Sequence, residues 1–154
     1  MTVHRKEFEQ LIPGTIQDVW EFFSNPGNLN KITPEDMSFK IESDVSDGKT
    51  FAGRLIVYTV SPFKWMSTRW VTEITACEDQ KYFIDEQRFG PFKLWHHRHS
   101  FEEVENGVLM KDELHYVLPF GIFGKLFGGF VHKRVNGIFT HREKVIDGHF
   151  SRYT

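Results

Sequence analysis

Between residues 81 and 118 the chain repeats one pattern three times: a run that alternates in character, closed by a turn signal. The first run, from Phe83, ends at Gly90-Pro91, the second at Asn106-Gly107, and the third at Pro119. Successive side chains of a β-strand point to opposite faces, so this alternation predicts strands with one buried and one wetted face. Connections this short join antiparallel neighbours, and an antiparallel sheet must lay its inner face on something. The pattern is sharpest in Leu94-Trp-His-His-Arg-His-Ser-Phe101, where Trp95, His97, His99 and Phe101 share one face. Leu94, His96, Arg98 and Ser100 share the other. Two imidazoles between large rings on an inner face are either hydrogen-bonded core histidines or part of a cavity wall.

The remaining segments supply what the sheet needs. Lys6, Phe8, Gln10 and Ile12 alternate along a first strand that Pro13-Gly14 ends. Thr15 is placed to cap a helix, with Asp18 three residues on, and Ile16, Val19, Trp20 and Phe23 follow at helical spacing. Asn25-Pro26-Gly27 stops that helix, and residues 29–32 predict one more short turn. Met37, Phe39 and Ile41 alternate as a strand. Asp47-Gly48 predicts a hairpin into a strand over residues 51–60, which Ser61-Pro62 breaks. Residues 65–77 follow, with Met66, Thr68, Trp70 and Ile74 inward. After Pro119 the period becomes helical: Val131, Val135, Ile138, Arg142 and Val145 recur every three or four residues. This long C-terminal helix begins near Gly121, and the glycine-rich segment 120–130 suggests a hinged lid over a cavity mouth. No repeat or linker divides residues 1–154, so one domain is expected. The fold class is α+β: a curved antiparallel sheet of about seven strands wrapped around a long C-terminal helix, with one or two short helices after the first strand.

Composition narrows the partners. With 19 basic and 21 acidic residues, the formal charge of -2 gives no electrostatic case for nucleic acid. No apolar run approaches the roughly 20 residues of a membrane helix, and the first residues carry no apolar leader, so a cytoplasmic monomer or homodimer without membrane contact is expected. Cys77 is the one cysteine, which excludes an internal disulfide; Glu78 and Asp79 beside it offer neither base nor cation to activate a thiol. The 16 Phe, 4 Trp and 4 Tyr must be buried or offered to something.

The series Phe83-x-Asp-Glu-Gln87, Gly90-Pro-Phe92, Trp95-x-His-x-His-x-Phe101, Gly107, Met110-x-Asp112, Tyr116-x-x-Pro119-x-Gly121 and Ile138-Phe139-x-x-Arg142 resembles the bacterial ligand-binding branch of the SRPBCC superfamily. The resemblance covers essentially the whole chain. It implies the helix-grip fold shared with START lipid-transfer domains, birch-pollen-type plant allergens and polyketide cyclases. It also implies a deep, mostly apolar cavity between sheet and long helix. It transfers no particular ligand, because carriers, receptors, cyclases and oxygenase domains share the scaffold.

Hairpin counting gives the histidines partners. A two-residue turn at Asn106-Gly107 pairs Glu105 with Val108 and sets Phe101 opposite Asp112, His99 opposite Leu114 and His97 opposite Tyr116. Met110, Asp112, Leu114 and Tyr116 then face inward, and Lys111, Glu113 and His115 outward. A buried carboxylate is costly unless paired, so Asp112 is expected to bond His99. A three-residue loop at Gly90-Pro91-Phe92 sets Asp85 near His97 and Gln87 near Trp95; a two-residue loop sets Ile84 and Glu86 there instead. The first is preferred because it leaves Glu86 and Arg88 in water.

Four readings fit this set. It is a satisfied polar network that fixes the sheet, or a recognition wall in an apolar pocket, and these two are not exclusive. Third, His97 or His99 with Asp112 acts as general acid or base in a cyclase-like or hydrolytic reaction. Fourth, His97 and His99 hold a metal with Asp112 or Asp85, the weakest reading because no further His or Cys supports it. Neither Ser100 nor Ser67 shares the histidine face, so a serine triad is unsupported. Arg142 is expected to pair with an inner carboxylate rather than meet an acidic ligand. The expected function is binding of a small, mostly apolar, aromatic or lipid-like ligand, with no cofactor or metal. His97, His99, Asp85, Gln87, Asp112, Tyr116 and Arg142 are its polar candidates, and Trp95, Phe101, Trp70 and Phe39 its apolar ones.

Overall fold

The alternating runs pair into one seven-stranded antiparallel sheet in a computed structural model that describes residues 2–63, 65–118 and 121–151. The strands are β1 (His4–Ile12), β2 (Lys40–Ile41), β3 (Leu55–Phe63), β4 (Met66–Glu78), β5 (Tyr82–Phe89), β6 (Leu94–Val104) and β7 (Gly107–Val117). Their order is β1-β7-β6-β5-β4-β3-β2. Five hairpin links run from β2 to β7, and β1 closes the far edge against β7. Helices α1 (Ile16–Ser24) and α2 (Leu29–Ile32) follow β1, and α3 (Gly121–Phe150) ends the fold. Thr15 caps α1 as expected: its Oγ1 accepts from the Asp18 amide at 3.1 Å and donates to the Asp18 carboxylate at 2.8 Å.

Several expectations are corrected. The strand expected at Met37, Phe39 and Ile41 shrinks to Lys40–Ile41, because residues 35–37 wind a 3-10 turn and Ser38 takes a left-handed conformation with φ 46°. Asp47-Gly48 makes no tight hairpin; Asp47 instead accepts from Arg54 Nη1 at 2.6 Å, which holds the long connection down. β3 accordingly starts at Leu55, and Ser61-Pro62 does not end it. The strand runs on to Phe63 with a register shift after Val60, the irregularity that lets a sheet accept a proline.

The β6–β7 turn keeps two residues but lies one position earlier than expected, which shifts the pairing by two. Val104 pairs with Gly107, so Glu105-Asn106 is the loop, His99 faces Asp112, His97 faces Leu114, Trp95 faces Tyr116 and Phe101 faces Met110. A shift of two preserves which side chains point inward. Gly107 sits in the ladder for another reason: a Cβ there would lie 2.3 Å from the Ile12 carbonyl oxygen, where β1 passes. The β5–β6 register is as expected, with Asp85 opposite His97.

The concave face is filled at one end. α1 lays Trp20 edge-on to Phe101 and Phe83, with ring centroids 5.5 and 6.0 Å away, and Phe22, Phe23, Ile146 and Phe150 complete this cluster. The buried stripe of α3 is Val135, Phe139, Arg142, Ile146 and Phe150. The lid expected over residues 120–130 rests on side chains that lie largely outside the described residues.

Candidate functional site

Beyond the reach of α1 the rings stop filling the space. A cavity of about 470 Å³ opens between β3–β6, α2 and α3. Phe39, Tyr58, Trp70, Phe92, Trp95 and Ile138 give it an apolar wall. The rings lean on one another, with Phe39 4.7 Å from Tyr58 and Trp70 set edge-on to Trp95 at 5.2 Å. Asp85, His97, His99 and Arg142 enter the wall where the cavity meets the filled end.

These four residues and Asp112 form one buried network. The two imidazoles, on alternate residues of β6, lie with ring centroids 3.8 Å apart. Each ring turns one nitrogen toward Asp112 on β7 and the other toward Asp85 on β5. His97 Nε2 is 2.8 Å and His99 Nδ1 2.9 Å from the same Asp112 oxygen, Oδ1. On the other side, His99 Nε2 is 2.7 Å and His97 Nδ1 3.5 Å from Asp85 Oδ2. Arg142 reaches down from α3, with Nη1 3.5 Å from Asp112 Oδ1 and its guanidinium 5.1 Å over the Phe23 ring. Arg142 thus pairs with an inner carboxylate, and Asp112 bonds both histidines, not His99 alone.

The electrostatics follow from this geometry. Burial pushes the Asp112 carboxyl up, but Arg142 and the two imidazoles outweigh it and hold the group well below the usual carboxylate range. Asp85 is lowered in the same way, its burial outweighed by the His99 hydrogen bond and nearby positive charge. Burial also disfavours charge on His99, yet the bonds to Asp112 and Asp85 raise its pKa. His97 goes the other way: burial, then the neighbouring His99, lower it despite Asp112. The two carboxylates are thus met by the Arg142 guanidinium and by the imidazole nitrogens, as burial demands.

Other expected site residues stand elsewhere. Trp70, Phe39 and Trp95 line the cavity, whereas Asp112 lies behind the imidazoles and does not. Phe101 belongs to the filled end against Trp20 and Phe23. Gln87 closes the β5–β6 loop: its Nε2 donates to the Phe92 carbonyl at 2.6 Å and its Oε1 accepts from the Phe92 amide at 3.1 Å. Tyr116 is fully buried behind Trp95 and hydrogen-bonds His132 of α3. Tyr58 and Phe83 were missed although each alternates with inward neighbours, Ile56 and Val60 or Asp85. Phe92 carries no such signal, since it lies in a loop. Cys77 is half-buried with Sγ 3.6 Å from the Thr50 carbonyl oxygen, and burial raises its thiol pKa. Asp85, His97 and His99 converge, with one carboxylate or imidazole atom from each within 4.8 Å of the others.

No protein-family model matches the chain, and no curated protein matches it. Solved structures do. The KanY protein superposes with a TM-score of 0.73 at 12% identity, over 98% of this chain and 99% of that one. A START superfamily protein from Mycobacterium smegmatis gives 0.64 at 13%, over 99% of each. Ara h 8.0201 gives 0.61 at 14%, over 94% and 98%. The chain therefore has the helix-grip fold that these structures share. At such identities the likeness speaks for the fold, and the function has to be argued from the site. Among the described residues, no helix is long and apolar enough to cross a membrane.

Proposed function

We propose that the protein binds a small, mostly apolar molecule, aromatic or lipid-like, that carries at least one hydrogen-bond acceptor. The observation that carries this reading is a pair of orphans on the cavity wall. Trp70 Nε1 and Arg142 Nε are buried donors without a hydrogen-bond partner among the described residues, and both side chains line the cavity. A buried N–H left unpaired costs about 1–3 kcal/mol, so a small side-chain shift that brings it to a ligand's acceptor oxygen recovers that energy. The remaining wall is rings and aliphatic chains, and about 470 Å³ lies within the range of small-molecule sites.

The test is a fluorescence titration, with Trp70 and Trp95 as reporters, against aromatic ketones, phenols, flavonoids and fatty acids. Saturable one-to-one binding by one class is expected, weakened at least tenfold in Ile138→Trp, which projects a ring into the cavity. A folded protein that binds none of them overturns the reading. The His97–Asp112 contact favours a second reading: a histidine oriented by a carboxylate on a cavity wall is suited to general acid–base work. That reading requires turnover of the bound molecule that disappears in His97→Ala while binding persists.

A further inference from the structure

We infer that Asp85, His97 and His99 form a binding site for one divalent transition-metal ion, of the zinc, cobalt or iron(II) type, with its open side toward the cavity. The inference stands on the hydrogen-bond pattern of the two rings and does not depend on which organic ligand the cavity takes.

Asp112 Oδ1 lies 2.8 Å from His97 Nε2 and 2.9 Å from His99 Nδ1. A carboxylate only accepts, so His97 Nε2 carries the hydrogen of its neutral ring; His99 Nδ1 also has Arg142 Nη2 at 3.4 Å, which only donates, so the His99 hydrogen can sit on either nitrogen. The nitrogens left over are His97 Nδ1 and His99 Nε2. His97 Nδ1 carries a lone pair, His99 Nε2 carries one when the His99 hydrogen sits on Nδ1, and both face the same oxygen, Asp85 Oδ2, at 3.5 and 2.7 Å. Lone pairs aimed at a carboxylate oxygen repel unless something positive lies between them. One proton satisfies the His99–Asp85 contact and leaves His97 Nδ1 uncompensated. One divalent cation satisfies all three atoms at once.

The spacing fits that cation. Ligand atoms about 2.0–2.1 Å from a zinc-sized ion stand about 3.3 Å apart in a tetrahedral shell, close to the 2.7 and 3.5 Å separations seen here. The third pair of ligand atoms, one from each histidine, lies within 4.8 Å, so closing on an ion needs only small side-chain shifts.

The surroundings are those of a metal-binding histidine pair. Such rings donate the remote N–H to a carboxylate, which fixes orientation and raises ligand basicity; here one oxygen serves both rings. Arg142 holds that carboxylate from behind, with Nη1 3.5 Å away. Two alternate residues of one strand and one of the next supply the three ligands, so the site rests on the sheet ladder, where Asp85 pairs with His97. Since all three line the cavity, an ion held by them keeps coordination positions for water or a ligand oxygen, the arrangement of sites that do more than hold structure.

The experiment is a titration of chelator-treated full-length protein with cobalt(II), followed by its visible absorption bands and by the shift in Tm. One equivalent of cobalt is expected to saturate the wild-type spectrum and raise Tm, with zinc displacing it. Asp85→Asn, His97→Ala and His99→Ala should each weaken binding by a hundredfold or more, and Asp112→Asn by about 10–100-fold. The pairs His96 and His115, with ring centroids 6.1 Å apart, and His4 and His132, 4.5 Å apart, are competing sites; His96→Ala/His115→Ala and His4→Ala/His132→Ala should each leave the titration unchanged. Asp85→Asn keeps the shape of the side chain, so its circular dichroism separates loss of metal from loss of fold. No saturable spectrum in the wild type overturns the inference. So does unchanged cobalt affinity in folded Asp85→Asn, or a signal that vanishes with either competing pair.

Discussion

The two ends of the concave face are built from the same kinds of residue and behave differently. Where α1 crosses the sheet, Trp20 and Phe23 meet Phe83 and Phe101, and the space closes. Toward α2 and β3, Tyr58, Trp70 and Trp95 stand on similar alternating strands and, with Phe39 and Phe92 from the adjoining loops, enclose about 470 Å³. Ring content does not decide which end is hollow. The reach of a nine-residue helix does: α1 ends at Ser24, and nothing of equal bulk continues across. The charged network stands at the boundary, its back to packed rings and its front to the cavity.

The largest expected effect tests that boundary. Asp112→Ala leaves two imidazoles and Arg142 without their common acceptor in a buried site, and should cost about 3–5 kcal/mol in urea unfolding. A cost near that of a surface change would mean water already reaches the network, and the sharp division between the two ends would fail. Next in size is a paired truncation. Phe101→Ala opens an enclosed hole among Trp20, Phe23 and Phe83 and should cost about 3–5 kcal/mol. Phe39→Ala removes a ring already facing the cavity, so it should cost less than half as much. Equal costs would mean that the cavity collapses around its own wall.

Growing side chains should reverse the asymmetry. Val108→Phe at the filled end overpacks a site with no measurable exposure and should cost about 1–3 kcal/mol. Val60→Phe points extra volume at the cavity and should change stability by under about 1 kcal/mol, while reducing ligand affinity. Thermal unfolding of the two variants, with and without the bound molecule, distinguishes these outcomes.

Much of this was legible in the sequence, for identifiable reasons. Period-two alternation assigned the faces of β1 and β4–β7, and because a register error of two keeps parity, Asp112 was placed inward even though the turn was miscounted. The change of period after Pro119 gave α3 and put Arg142 on its buried stripe. What failed depended on side-chain contacts that alternation does not encode, most of them between segments distant in sequence. Gly107 looked like a turn glycine, but its missing side chain makes room for β1. Gln87 looked like a recognition residue, but its amide is matched by the loop backbone at Phe92. The division of the rings into Phe101 at the filled end and Trp95 at the open one depends on where α1 lies, which strand alternation does not encode. The convergence of Asp85 with both histidines needs three strands in register, and no spacing within one segment announces it.

Two small braces, one for each end, give the finest test of the comparison. Thr15 fixes the start of α1, whose rings plug the filled end; Thr15→Ala removes the bonds with Asp18 and should cost about 1 kcal/mol. Gln87 fixes the loop that carries Phe92, a ring of the open end, and Gln87→Ala removes two hydrogen bonds of about 0.5–1.5 kcal/mol each. The stability losses are similar, so stability alone cannot separate the two variants. Ligand affinity can. The start of α1, where Thr15 acts, carries Trp20 onto Phe101, and neither ring lines the cavity, whereas a loosened Phe92 moves a ring 4.9 Å from Trp95 and 5.7 Å from Trp70. Gln87→Ala should therefore weaken ligand binding severalfold at unchanged cobalt affinity, and Thr15→Ala should alter neither. Equal losses of ligand affinity in both would mean that the two ends are mechanically one unit, with α1 shaping the cavity from a distance.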